Sequence, residues 1–112
     1  MVQRTARLDV TFGALADATR RRVLERLGRA DASISDLAGA FDMTLTGMKK
    51  HVQVLENAGL VTTRKVGRVR YCRLGSRRLD EETAWIALFQ TMLEARYDRL
   101  GEFLEQTRGD DT

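Results

Sequence analysis

Apolar positions recur along this chain with two periods, and the change of period marks the change of element. Between Leu8 and Ala16, the positions Leu8, Phe12, Leu15 and Ala16 fall at helical spacing. A second helix is expected from Arg20 to Leu27, with Val23, Leu24 and Leu27 inward, Thr19 as its cap and Gly28 as its stop. Ala32 to Ile34 reads as a short extended piece. Ser35 is placed to cap a short helix through Phe41 that buries Leu37, Ala38 and Phe41. Asp42 and Met43 make a turn, and Thr44 caps a longer helix to about Ala58. Its apolar face is Met48, Val52 and Leu55, with Leu45 and Val54 beside it, and Gly59 ends it.

The period then drops to two. Val61 to Val66 and Val69 to Leu74 are β-branched and aromatic runs flanking Gly67-Arg68, which predicts a two-stranded hairpin. Val69, Tyr71 and Arg73 share one face, while Arg70, Cys72 and Leu74 share the other. From Asp80 to about Thr107 the pattern is helical again. Trp85, Leu88, Phe89, Met92, Leu93, Tyr97, Leu100, Phe103 and Leu104 form a broad stripe, and Gly109 to Thr112 should fray. A helix over 80–107 spans roughly 42 Å, against a diameter of about 34 Å for a globule of this size. Part of the stripe should therefore face another chain, with the N-terminal helix and its Leu8 and Phe12 as companion. A symmetric dimer through the first and last helices follows, with Trp85, Phe89, Met92, Leu93, Tyr97 and Leu100 in its seam. The alternative is a break near Gly101 that folds the helix back.

The 112 residues suffice for a single domain, 1–112, with a modest core. Charge is distributed unevenly. Residues 44–78 carry nine Lys and Arg against one acid, Glu56, while residues 79–112 carry nine acids against three Arg. A basic middle can meet a polyanion, and an acidic end is repelled by one. The one cysteine, Cys72, cannot close an internal disulfide, and with the one histidine, His51, it makes neither a metal cage nor a convincing catalytic pair. No glycine-rich nucleotide loop is present. Catalytic residues, bound metals and cofactors are accordingly expected to be none. The absence of a signal-type apolar stretch or membrane span points to a reducing cytoplasm.

Two helices joined by a tight turn and followed by a basic hairpin give the winged helix-turn-helix order, α-α-(short β)-α-α-β-β-α, in a mostly α chain with a small hairpin. The B-DNA major groove admits one α-helix. The helix from Thr44 turns Thr46, Gly47, Lys49, Lys50 and Gln53 away from its apolar face. Lysine can donate to guanine and glutamine can pair with adenine. Thr44 can reach a phosphate from the helix start. Arg64, Lys65, Arg68 and Arg70 are the matching hairpin candidates.

The stretches LADATRRRVLERL, ISDLAGAFDMTLTGMKKHVQVLENAGLV and RKVGRVRYCRL resemble the ArsR family of bacterial winged-helix repressors over roughly Leu15 to Leu74. The resemblance implies a homodimer that binds operator DNA and is released by an inducer, often a metal ion. It places the recognition helix at 44–58 and the wing tip at Lys65 to Arg70. His51 then supports the groove helix or touches a phosphate. Ala18 stands where the family usually has proline, and Lys49 where it often has serine. Metal-sensing members carry paired cysteines in the helix that here reads SDLAGAF, or Asp and His ligands on the final helix. This chain has no cysteine in that helix and no histidine on the last one, and so resembles the metal-independent branch.

The expected function is a sequence-specific, dimeric repressor or autorepressor, acting on a two-fold symmetric operator in double-stranded DNA through helix 44–58 and wing 64–70. The alternative is an interaction module that takes an acidic protein partner. No membrane partner is expected, and the sequence names no small-molecule inducer. Arg20, Arg21 and Arg22 are candidates either for a phosphate or for surface pairs with Asp17 and Glu25. Cys72 reads as a small core or edge residue, with an intersubunit disulfide as the other reading. Asp98, Glu102 and Glu105 read as a solvated acidic face.

Overall fold

The computed structural model describes residues 2–110, with side chains for residues 6–106. In order, the elements are α1 (Val2–Leu15), α2 (Ala18–Leu27), β1 (Ala32–Ser33), α3 (Ile34–Ala40), α4 (Leu45–Asn57), β2 (Val61–Val66), β3 (Val69–Leu74) and α5 (Asp80–Asp110). The chain divides between Arg78 and Leu79 into two compact units, the second holding α5.

In the first unit the apolar faces of α2, α3 and α4 meet. Val23, Leu37, Met48, Val52, Leu55, Val61 and Cys72 are all at most 2% exposed. The helix starts lie slightly earlier than the sequence pattern places them. Asp17, not Thr19, caps α2 by accepting from the backbone N–H of Arg20, and Ser33, not Ser35, caps α3 by accepting from Asp36. Each region offers several capping side chains, and the one in extended conformation wins. Gly28 lies within the right-handed helical region as the C-cap itself, rather than as a left-handed stop beyond it.

Helix α1 starts well before Leu8. Among its described side chains Thr11 and Ala14 are buried, while Leu8, Phe12 and Leu15 are half-buried. Thr11 can be buried because its hydroxyl donates to the carbonyl of Arg7 at 2.9 Å.

Helices α3 and α4 end in the same way. Asp42 (φ 54°) and Gly59 (φ 74°) take the left-handed conformation just past the two C-caps. The next residue then closes back, Met43 N–H to the Ala38 carbonyl at 2.8 Å and Leu60 N–H to the Leu55 carbonyl at 3.0 Å. The first closure makes the tight turn into α4, and the second aims the chain into β2.

The sheet is antiparallel in the order β1-β3-β2. The hairpin turns at Gly67-Arg68 as its sequence requires, with Gly67 at φ 62°. The register pairs Thr63 with Cys72, Arg64 with Tyr71 and Lys65 with Arg70. Cys72 is buried and its neighbour Tyr71 exposed, as strand alternation demands.

After the hairpin the chain crosses its own earlier path. Gly75 N–H donates to the Leu60 carbonyl at 2.9 Å, and a Cβ on Gly75 would sit 2.5 Å from the Gly59 carbonyl oxygen. Gly75→Ala should therefore lower unfolding free energy by about 1–3 kcal/mol. Gly39→Ala, on an open helical face with nothing within 4 Å, should raise it by up to about 1 kcal/mol. Urea titration of the two variants reads these opposite signs.

Candidate nucleic-acid interface

Three buried residues, Met48, Val52 and Leu55, set the rotation of α4 about its axis. At about 100° per residue, everything else on the helix follows. Thr46, Lys49, Lys50 and Gln53 emerge on the exposed side. Lys49 lines clefts shared with the hairpin, and Lys50, one position on, leaves the helix about 100° away from it. Leu45 is exposed rather than packed beside the apolar face, and Val54 is half-buried.

Thr44 begins the helix. Its hydroxyl oxygen accepts from Gly47 N–H at 3.0 Å, which leaves the hydroxyl proton available to an outside acceptor. Gly47 has a local reason to lack a side chain, since its Cβ would stand 3.1 Å from that same oxygen. Gln53 donates to the Asn57 side chain at 2.9 Å.

The hairpin divides its cations between two faces. Lys65 and Arg70 share the face on which Cys72 and Val61 are buried, the face turned to α4. Lys65, Arg68 and Arg70 line one open cleft together with Leu45 and Lys49 of α4. Arg64 lies on the opposite face, in a shallow hollow with Tyr71 and Arg73, where Arg73 pairs with Asp31 at 3.5 Å. The structure thus brings Lys49, Lys65, Arg68 and Arg70 around one opening and leaves Arg64 apart from them. On the α4 side of the hairpin, Arg70 donates to the Thr63 hydroxyl at 3.0 Å, and Thr63 donates to Glu56 at 2.7 Å.

His51 faces α2 instead of the open side. Arg20 Nη1 stands 3.2 Å from His51 Nδ1. Arginine can only donate, so in this contact Nδ1 accepts, and the Asp17 carboxylate lies 3.9 Å from the same nitrogen. The rest of the Arg20 guanidinium closes the end of α1, Nε donating to the Ala14 carbonyl at 2.9 Å and Nη2 to that of Gly13 at 3.0 Å. Arg21 donates to the Leu15 carbonyl at 2.7 Å, and Arg22 lies over the Phe41 ring at 4.8 Å. The three arginines therefore serve the end of α1 and the end of α3, with the Arg20 guanidinium also close to Asp17. Spacing along the chain gave no signal for the Arg20–His51 contact. The Asp17 carboxylate, accepting from the Arg20 backbone and close to its guanidinium, is held below the usual aspartate range.

Cys72 is fully buried, and burial, aided by the nearby Glu56 carboxylate, pushes its thiol up to about 11. That environment suits packing and not redox exchange. Among the described residues, no group of three or more His, Cys, Asp and Glu is placed to hold a metal ion. No helix of the described residues is long and apolar enough to cross a membrane.

Helix α5, taken by itself, continues unbroken through Gly101 and on to Asp110. Of the expected frayed tail, Gly109 and Asp110 are helical, while residues 111–112 lie outside the described residues. Trp85, Phe89, Met92, Tyr97 and Leu100 are 45–65% exposed and Leu93 is half-buried. The Trp85 and Phe89 rings stack with centroids 5.7 Å apart. Ile86, absent from the apolar stripe read in sequence, is exposed as well.

The order of helices, the tight turn and the cation-lined cleft beside a hairpin define a winged helix-turn-helix, and comparison with known proteins agrees. A family model for a helix-turn-helix domain matches residues 15–64. The crystal structure of an ArsR family transcriptional regulator is 43% identical, with a TM-score of 0.72, and the match covers 80% of this chain and 93% of that one. The chain belongs to the ArsR family. The transcriptional repressor SdpR of Bacillus subtilis is 27% identical over 82 residues, 73% of this chain and 91% of SdpR. A homodimeric winged helix-turn-helix DNA-binding domain from Mycobacterium bovis, a possible ArsR-family regulator, is 26% identical with a TM-score of 0.59, covering 88% of this chain and 85% of that one. The present chain is thus a winged helix-turn-helix transcriptional regulator of the ArsR type.

Unlike a redox-sensing thiol, the Cys72 of this ArsR regulator is held protonated by the fold. A thiol whose folded pKa is raised from 9.0 to about 11 stabilises the fold below pH 9 and loses that contribution as pH climbs toward 11. Cys72→Ala should remove this alkaline slope in unfolding measurements. In the native protein the thiol should also resist alkylation at pH 8 and react once the chain is unfolded.

Proposed function

We propose that the protein is a homodimeric repressor that binds a two-fold symmetric DNA operator. Residues 1–112 work as one winged helix-turn-helix domain, with α1 and α5 as the dimerisation helices. The observation that carries this reading is the cleft between α4 and the hairpin, where Lys49, Lys65, Arg68 and Arg70 converge. In this reading Lys49, Lys50, Gln53 and Thr46 enter the major groove and meet base edges. Thr44 and the wing cations Lys65, Arg68 and Arg70 take phosphates, and Arg64 takes a flanking phosphate from the far side of the hairpin. His51 serves through its contact with Arg20, holding α4 in place. The repressor SdpR and the homodimeric Mycobacterium bovis domain support the direction of regulation and the assembly. The exposed apolar residues of α5 support its place in the seam, together with Leu8 and Phe12 of α1. The absence of cysteine from SDLAGAF and of histidine from α5 supports operation without a metal inducer. A regulator of this kind works in the cytoplasm, beside the DNA, and has no catalytic step.

Duplexes recovered from a random pool by the wild-type protein supply the test. If the dimer neutralises about eight phosphates, log K falls against log salt with a slope near −7. Lys49→Ala combined with Lys50→Ala should erase the preference for recovered over mixed-sequence duplexes in a mobility-shift assay, and an unchanged preference refutes the groove assignment. Arg68→Glu should weaken every duplex alike. Chelating agents should leave the affinity unchanged.

Sedimentation of Phe89→Asp should show a monomer with much weaker operator binding. A wild-type protein indifferent to all duplexes at low ionic strength would favour the acidic-protein reading.

A further inference from the structure

Glu56 is the one acid in a sequence segment, 44–78, that holds nine cations, and four of these, Lys49, Lys65, Arg68 and Arg70, line the cleft proposed to meet DNA. A carboxylate there repels phosphate, so its position needs a reason. Its side chain turns into the junction of α4 with β2 and β3 and lines a hollow there with Lys49, Gln53, Thr63 and Arg70. The neighbouring Cys72 thiol feels its charge. Thr63 has a single hydroxyl proton and gives it to Glu56 at 2.7 Å, which leaves only its lone pairs to face Arg70 at 3.0 Å. The link therefore has one direction, from the Arg70 guanidinium through the Thr63 hydroxyl to the Glu56 carboxylate. Donating to a carboxylate also makes the hydroxyl a better acceptor.

The strand register adds a second pressure on Arg70. It lies directly across from Lys65 on the same sheet face, and like charges so placed repel. Left to itself, the Arg70 side chain would swing clear of Lys65 and sample many rotamers. The link to Thr63 uses one guanidinium N–H and keeps the others for an outside ligand.

We propose that Thr63, anchored by Glu56, is a positioning residue that holds the Arg70 guanidinium in the cleft between α4 and the wing, ready for a DNA phosphate. The inference rests on the DNA-binding reading given above. Pre-ordering a long side chain strengthens binding by the freedom it no longer has to lose. The net charge of the interface is unaffected by it.

Those two properties make the role separable from that of Arg70 itself. Thr63→Val keeps the size and strand preference of the side chain and removes the hydroxyl. It should weaken binding to a duplex recovered from a random pool by about three- to ten-fold, with the salt slope unchanged. Thr63→Ser restores the hydroxyl and should bind as the wild type. Arg70→Gln should weaken binding and reduce the salt slope by about two per dimer. Adding Thr63→Val to Arg70→Gln should cost nothing further.

Circular dichroism and urea unfolding establish that each variant is folded, and Thr63→Ala serves in place of Thr63→Val if the latter is not. Wild-type affinity of the folded Thr63 variant beside a weakened Arg70→Gln overturns the inference and leaves the DNA reading standing. So does a full additional loss in the double variant. An Arg70→Gln protein with wild-type affinity and slope overturns the inference together with the wing contact it rests on.

Discussion

The burial of Met48, Val52 and Leu55 is the constraint on which the interface depends. A helix offered to a partner has one rotational freedom that matters, its angle about its own axis, and these three side chains remove it. They are shape-matched to a core built from α2, α3 and the sheet, in which interiors pack at crystal-like density. A shift of one position in that apolar register would turn Lys49 and Gln53 by about 100° and carry them off the open face. Chemistry on the outside of α4 is thus set by hydrocarbon on the inside.

The second degree of order is the angle between α4 and the hairpin. It is set partly by backbone, through the left-handed Gly59 and the close crossing of Gly75 over Gly59, and partly by the side-chain link from Glu56 to Arg70. Midway along α4, on its α2 side, Arg20 ties His51 to the last carbonyls of α1. The helix is therefore held from both flanks by polar contacts and from below by apolar ones.

Much of this arrangement was legible in the sequence, and the rest was not for identifiable reasons. Element order, the Gly67-Arg68 turn and the inward residues of α4 follow from periodicity, which backbone geometry imposes locally. Helix starts were displaced at Asp17 and Ser33 because several oxygens compete for the same role and only backbone conformation selects one. Thr11 escaped notice because a count of apolar residues passes over a hydroxyl that satisfies itself on its own helix. The contact of Arg20 with His51 joins positions 31 residues apart, and no spacing rule reaches that far. For the interface, the cations were evident from composition. Strand alternation already set Arg64 apart from Lys65 and Arg70, but treating the wing as one charged patch concealed that division.

The sheet order leaves β2 with an unpaired outer side, a row of backbone donors and acceptors open to solvent. Such a margin invites another strand to zip onto it, and soluble proteins guard against this with charge. Here the guards are Arg64 and Lys65, side by side on β2 and pointing to opposite faces. Any approaching copy would bring the same cations and be repelled. The wing's basicity thus also protects the fold against edge-to-edge pairing at β2, so a residue kept there for colloidal safety and one kept for recognition look alike in composition.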